Sequence, residues 1–259
     1  MPSYIELPRS EGRPISASFM VPNVPSYLAY NQSAFVSDMS KVISYAVTDV
    51  NSIQLSGSAN GDRIREVLNK IAVMRKRIAI NAGDEGSQLF GKALTKERGP
   101  RDLIPNDEEH RHYYYLDRAR NAYENGVQLS VSIPAGLIEC SKTIEDGHKG
   151  YEIQHPTKQD CEKLSAYAFE NYSELFNGKV TGEQNIISVI AKCTYLLMHG
   201  TPFVRGTPAC VQALNDAIVR ILIGKTFPRF KDNVEPFWEA IFLREKTFIA
   251  NYRDYFRDE

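Results

Sequence analysis

The sequence carries no excess of either charge. It holds 31 lysine and arginine residues against 32 aspartate and glutamate residues, a formal net charge of −1 at pH 7. Proteins that coat nucleic acid or lie on anionic membranes usually carry a strong basic excess, so both classes are disfavoured. We therefore expect no nucleic-acid partner, although a local basic pocket is compatible with this balance.

Long apolar runs are also missing. No stretch approaches the ~20 apolar residues that a membrane-spanning helix needs, so we expect no membrane span. The first residues lack the charged start and apolar run that are typical of a secretory signal peptide. Export of this chain would therefore need a system that does not read such a signal.

Cysteine and histidine are scarce, and their spacing is wrong for a metal site. His110 and His112 are two residues apart, and a helix does not bring residues at that spacing to one face. We expect no bound metal, and we expect the cysteines to be buried free thiols in a reducing compartment. The four cysteines form no CxxC pair and are Cys140, Cys161, Cys193 and Cys210.

Proline and apolar periodicity divide the chain. Residues 1–32 are rich in proline, which predicts an extended arm that can serve as a secretion leader. Residues 33–259 are predicted to form a single helical domain, in which the helix over 183–198 is apolar nearly all round and should be central. Helical spacing predicts helices at about 33–50, 60–82, 106–125, 157–175, 183–198, 208–223 and 234–256.

Strand signals are few. Residues 127–133 alternate between apolar and polar side chains, and residues 151–155 form a second short candidate strand. The predicted fold class is therefore mainly α, with a small antiparallel β-hairpin or sheet beside the helices. The basic cluster at residues 75–77 is predicted to be a solvated helix face, with partner binding as the minor alternative.

The loop at residues 199–206 joins two apolar helices and ends on Arg205. Gly206 and Thr207 follow, with Thr207 as the predicted N-cap and Pro208 at the first helical position. A guanidinium, an unobstructed backbone and a hydroxyl at one helix start suit a phosphate or diphosphate. The structural alternative is that these residues only cap the helix and that Arg205 pairs with a nearby carboxylate.

A central helix, a proline-containing loop and a second helix are the heart of the Fic/Fido architecture. From Asn185 onward the sequence resembles the AvrB-like avirulence effectors of plant-pathogenic bacteria, which share that fold. The resemblance covers roughly the last third of the chain. It is carried by the helix at 186–192, the loop at 202–206, the Phe-Pro-Arg-Phe at 227–230 and the ending at 248–253.

The resemblance implies a Fido-like domain and a nucleotide-linked transferase. Fic proteins move a nucleotide or another phosphate-containing group onto a protein hydroxyl, and AvrB-like members look like glycosyltransferases that use a nucleotide sugar. The implied co-substrate is thus a nucleotide or nucleotide sugar, with no tightly bound cofactor. The implied setting is a bacterial effector that a signal-peptide-independent system secretes into a host cell, where it meets a host protein target; otherwise the chain stays in the bacterial cytoplasm.

The residues of the loop match the family motif in part. Arg205 matches the loop arginine that lies near the diphosphate, and Gly206 and Thr207 cover only the first half of the Gly-Asn-Gly-Arg ending. Thr201 stands where Fic motifs have histidine directly before Pro-Phe, and His199 lies two residues earlier. His199 is either the general base or a core residue.

The predicted catalytic residues are therefore His199, Thr201 and Arg205. Arg205, Gly206 and Thr207 are predicted to bind the co-substrate, and Arg229 and Lys231 could close the pocket from the next loop. Two alternatives remain open on the same scaffold. One is a non-catalytic binding protein that uses the hairpin or the three tyrosines at 113–115, and the other is a bacterial cytoplasmic helical domain with a phosphate-binding loop.

Overall fold

The structure is a computed structural model that describes residues 32–83, 87–96, 101–103, 111–146, 150–228, 230–231, 234 and 236–256. These residues form a mainly α-helical fold with small antiparallel sheets, and the predicted fold class is confirmed. The predicted N-terminal arm lies outside the described residues except for Gln32, which starts the first helix. Among the described residues, no helix combines the length and apolar character that crossing a membrane requires.

The helices follow the predicted order along the chain. Asn60 and Thr157 are the N-caps of two of them, since each accepts a hydrogen bond from the backbone N–H three residues later. The helices are α1 (Gln32–Ser56), α2 (Gly61–Asn81), α3 (Arg111–Glu124), α4 (Lys158–Glu174), α5 (Glu183–Gly200), α6 (Thr207–Leu222), α7 (Pro236–Phe242) and α8 (Glu245–Asn251).

Helix α5 lies at the centre of the fold, as its apolar sequence predicts. It packs against α4, α6, α7 and α8, while α1 and α2 pack against α6. Its second half is buried on every side from Cys193 to Gly200. All four cysteines are free and buried, which confirms their predicted state.

The two predicted strands exist but do not pair with each other. Strand β2 (Ser130–Ile133) reverses at a tight turn and pairs with β3 (Gly136–Glu139). Strand β5 (Gly150–Gln154) lies between β1 (Arg101–Leu103) and β4 (Lys142–Asp146) in a three-stranded antiparallel sheet. Each predicted strand pairs with a strand that is close to it in the sequence. Strand β2 pairs with β3 across a tight turn, and β5 pairs with β4, which directly precedes it.

The prediction of one long helix over 234–256 is wrong. The chain forms α7, bends at Leu243, forms α8 and ends in a 3-10 helix, Tyr252–Tyr255. Trp238 packs into a small second core beside α3, whereas Phe248 packs into the main core. Helix α7 contacts both cores, since its Ala240 lies in the main core, and the bend at Leu243 precedes the helix that carries Phe248.

Candidate functional site

The end of α5 is pressed against α4 at Gly200. A Cβ added at Gly200 would lie 2.7 Å from Oγ of Ser165 and 3.0 Å from the carbonyl oxygen of Cys161. A real Cβ essentially never makes contacts this short, so only glycine fits. This close approach determines where the α5–α6 loop, residues 201–206, leaves the helix.

Thr201 is strained and its hydroxyl is buried. Its φ is +30°, and it is the only non-glycine with positive φ in the part of the chain that the structure describes. Its Oγ1 is buried with no hydrogen-bond partner among the described residues. Backbone strain of this kind costs about 1–3 kcal/mol and clusters at functional sites. Thr201 is therefore unusual in both backbone and side chain, but its hydroxyl does not face solvent.

His199 is a fully buried residue of the core in this conformation. Its Nδ1 accepts a hydrogen bond from the backbone N–H of Ser141 at 3.2 Å, and its Nε2 lies 3.0 Å from the carbonyl oxygen of Ala240. The proton must therefore sit on Nε2, which donates to Ala240. Burial lowers the pKa of His199 to about 4. Both nitrogens are engaged, so the imidazole joins the β3–β4 connection to α7 and offers no base to a substrate.

The α5–α6 loop is covered on one side by residues 90–94, which we call the strap. The strap follows a short 3-10 helix, Ser87–Leu89, and runs beside the loop as a backbone-paired segment. Three backbone hydrogen bonds join them: Leu94 N–H to Pro202 O at 3.2 Å, Val204 N–H to Lys92 O at 2.9 Å, and Gly91 N–H to Arg205 O at 3.2 Å. The strap therefore holds the backbone of the predicted site.

Replacing Gly91 with alanine should lower the free energy of unfolding by about 2 kcal/mol, from backbone strain and overpacking together. Gly91 has a φ of +63°, and an added Cβ would lie 2.6 Å from the carbonyl oxygen of Ala72. Gly57 is the matched control, because its φ is +59° but an added Cβ meets nothing within 4 Å. Urea unfolding of both variants measures the difference, and equal losses would show that the strap does not press on α2.

The three residues predicted to bind a phosphate, Arg205, Gly206 and Thr207, are only partly exposed. Arg205 is exposed, and its guanidinium carbon lies 4.7 Å from the centroid of the Phe90 ring. Gly206, not Thr207, is the N-cap of α6, so the helix starts one residue earlier than predicted. A Cβ added at Gly206 would lie 2.7 Å from Cδ1 of Phe90, so the ring fills that face of the glycine.

Thr207 uses its hydroxyl inside the loop. Its Oγ1 lies 3.4 Å from the backbone nitrogen of Phe203 and donates to the Phe203 carbonyl oxygen at 3.3 Å. Thr207 is also buried. Of the predicted trio, the structure therefore presents the Arg205 guanidinium, while the Thr207 hydroxyl stabilises the turn.

The two residues predicted to close the pocket are placed differently. Arg229 lies outside the described residues. Lys231 is exposed, and its backbone N–H donates to the carbonyl oxygen of Tyr255 at 2.8 Å. The structure thus attaches the backbone of Lys231 to the C-terminal 3-10 helix, and the pocket-closing role of both residues stays a prediction.

Arg75 is the residue of this region that sequence reasoning missed. Its guanidinium carbon lies 4.3 Å from the centroid of Phe90 and 5.1 Å from that of Phe35, so it is not part of a simple solvated face. A signal was present in the sequence. Arg75 continues the apolar stripe of α2, four residues after the buried Ile71, and a cation on such a stripe usually has a specific contact.

Basic residues dominate the three segments that meet here. The described segments 70–83, 87–96 and 201–215 contain seven lysines and arginines and no aspartate or glutamate. Within the described ranges, no group of three or more His, Cys, Asp or Glu side chains is arranged to hold a metal ion. Lys70 pairs with Asp49 and Glu66, so not all of this positive charge is open to an anion.

No protein-family model matches the chain, and no curated protein matches it either.

Proposed function

We propose that this protein binds a nucleotide or nucleotide sugar through Arg205 and transfers a group from it onto a hydroxyl of a partner protein. The proposal follows the resemblance to AvrB-like effectors of the Fic/Fido superfamily, whose setting would be a host cell. One observation carries it. Arg205 is exposed at the start of α6 and stacks on a buried ring, which orients its guanidinium.

The chemistry that Arg205 would perform is stabilisation of a diphosphate. The acceptor hydroxyl would lose its proton to solvent water, its oxygen would form a bond to the sugar carbon or to phosphorus, and the diphosphate group would leave with the electron pair of the broken bond. A guanidinium binds such a group with two parallel hydrogen bonds, and the positive end of α6 adds to its field. Charge that develops on the leaving group is the main electrostatic task of this reaction class. His199 has no part in the proposal, since both its nitrogens are engaged.

Isothermal titration of the full chain tests this. The panel is several nucleoside diphosphates and nucleotide sugars, against wild type, Arg205→Ala and Arg205→Lys. Loss of a charge-assisted contact should weaken binding roughly tenfold or more in Arg205→Ala, and less in Arg205→Lys. The control is Lys179→Ala, an exposed cation near the opposite end of α5. Absence of binding by wild type across the panel, or equal binding by Arg205→Ala, would overturn the proposal.

A second candidate is a non-catalytic binding protein on the same scaffold. The observation in its favour is that His199 and Thr201 are both buried, and that His199 has no free nitrogen. In that case Arg205→Ala leaves binding to the partner protein intact, whereas Leu137→Ser abolishes that binding, because Leu137 is 73% exposed on the β2–β3 hairpin. A pull-down with both variants, beside a transfer assay with labelled donor, separates the two candidates.

A further inference from the structure

Two arginines from distant parts of the chain contact one phenyl ring. The guanidinium carbons of Arg75 and Arg205 lie 4.3 Å and 4.7 Å from the centroid of Phe90. The two carbons are therefore at most 9.0 Å apart, the sum of those distances. Both distances are within the range at which a cation is attracted to an aromatic face. The ring thus attracts two like charges that repel each other.

The ring is held in place on several sides. Phe90 is 5% exposed, and its backbone pairs with that of Arg205. The ring lies against Gly206, and the next residue, Gly91, is pressed against Ala72 of α2. A side chain fixed in this way keeps the two guanidinium groups in one arrangement. Groups that are already in position lose less entropy when a ligand arrives.

Both arginines lie at the start of α6. Arg205 directly precedes the N-cap, Gly206. Arg75 reaches the same region through Phe90, because its guanidinium carbon lies 4.3 Å from the centroid of that ring and the ring lies against Gly206. Both guanidinium groups therefore lie near the start of α6. The N-terminal end of a helix carries partial positive charge.

We propose that Arg75 is a second anion-binding residue beside Arg205, and that the pair selects a diphosphate over a single phosphate. A guanidinium can bind two oxygens of a phosphate group with parallel hydrogen bonds. A diphosphate is longer than a single phosphate and carries more negative charge, so it can contact two guanidinium groups up to 9.0 Å apart. The role of Arg75 rests on the proposed function of Arg205 and names its substrate class: ligands that carry two linked phosphate groups, such as a nucleoside diphosphate.

Titration calorimetry on the full chain tests this role with four probes: inorganic phosphate, inorganic diphosphate, a nucleoside monophosphate and a nucleoside diphosphate. The wild type is expected to bind each diphosphate roughly tenfold or more tightly than the matching monophosphate. Arg75→Gln should remove that preference, and Arg75→Lys should lose part of it, since lysine keeps the charge but cannot make the two parallel hydrogen bonds. Arg77→Ala is the control, because Arg77 is exposed two residues further along α2.

The outcomes separate this inference from the proposed function. If Arg75→Gln keeps the diphosphate preference while Arg205→Ala loses binding, the role of Arg75 is overturned and that of Arg205 stands. If neither variant changes binding, both are overturned. Thermal unfolding checks that each variant is folded. Should Arg75→Gln fail to fold, Arg75→Lys decides, because an unchanged preference in that variant contradicts the need for two guanidinium groups.

Discussion

Asp216→Ala should lower the free energy of unfolding at pH 7 by about 3–5 kcal/mol, the usual loss when one partner of a buried ion pair is removed. Asp216 lies in α6 and is fully buried. One carboxylate oxygen accepts the backbone N–H of Phe227 at 2.7 Å, and the other accepts Nε of Arg220 at 2.5 Å. Alanine would leave a buried N–H and a largely buried guanidinium without these partners.

The large loss of stability expected for Asp216→Ala comes from leaving its partners unpaired in a buried place. The intact ion pair itself contributes much less to the free energy of unfolding. Burial raises the pKa of the Asp216 carboxyl even though Arg220 and the Phe227 N–H lower it. Desolvation therefore offsets much of the attraction, which is common for buried ion pairs. What the carboxylate provides is position, since it attaches the segment after α6 to that helix.

Unfolding in guanidinium chloride at pH 7 measures how much Asp216→Ala lowers the free energy of unfolding. Asp216→Asn should lose less, because its side-chain oxygen can still accept the Phe227 N–H. The control is Glu183→Ala, which removes an exposed pair with Lys225, 2.7 Å between the charged atoms. Exposed pairs contribute little to stability. A loss in Asp216→Ala no larger than that in Glu183→Ala would show that the buried carboxylate is dispensable.

The helices could be predicted because each carries its own local signals. Asn60 and Thr157 are N-caps in front of apolar stripes, and local signals of this kind need no knowledge of the rest of the chain. The prediction of a single C-terminal helix over 234–256 was wrong because it used the same local signals. The apolar spacing of that segment continues across Leu243, so the local pattern did not indicate the bend there.

The candidate site shows where local reasoning stops. The exposure of Arg205 at the start of a helix follows from the loop sequence and from Gly206. The contact of Phe90 with Arg205 joins segments far apart in the chain, so no spacing rule could find it. For His199 the sequence left two roles open, and contacts with Ser141 and Ala240, both from other elements, decide for the core role in this conformation.

Stability should fall as the pH is lowered from about 6.5 to about 4, because His199 is neutral in the folded protein over that range. Burial lowers its folded pKa to about 4, whereas in the unfolded chain it titrates near ~6.5. The unfolded state therefore binds more protons in this window, and the free energy of unfolding rises with pH. A shift of this size corresponds to ~3 kcal/mol, fully present above the unfolded pKa and lost as the pH approaches the folded one.

The contribution of His199 is isolated by comparing wild type with His199→Gln, since carboxylates titrate in the same range. Glutamine does not titrate, and its amide can still donate to the Ala240 carbonyl oxygen. The slope of unfolding free energy against pH should be flatter in His199→Gln than in the wild type between about pH 4 and pH 6.5. The same data bear on catalysis, because a general base needs a pKa near its working pH and access to the substrate. An unchanged slope would mean that His199 titrates normally and reaches solvent, and the general-base role in the transfer reaction would then return to it.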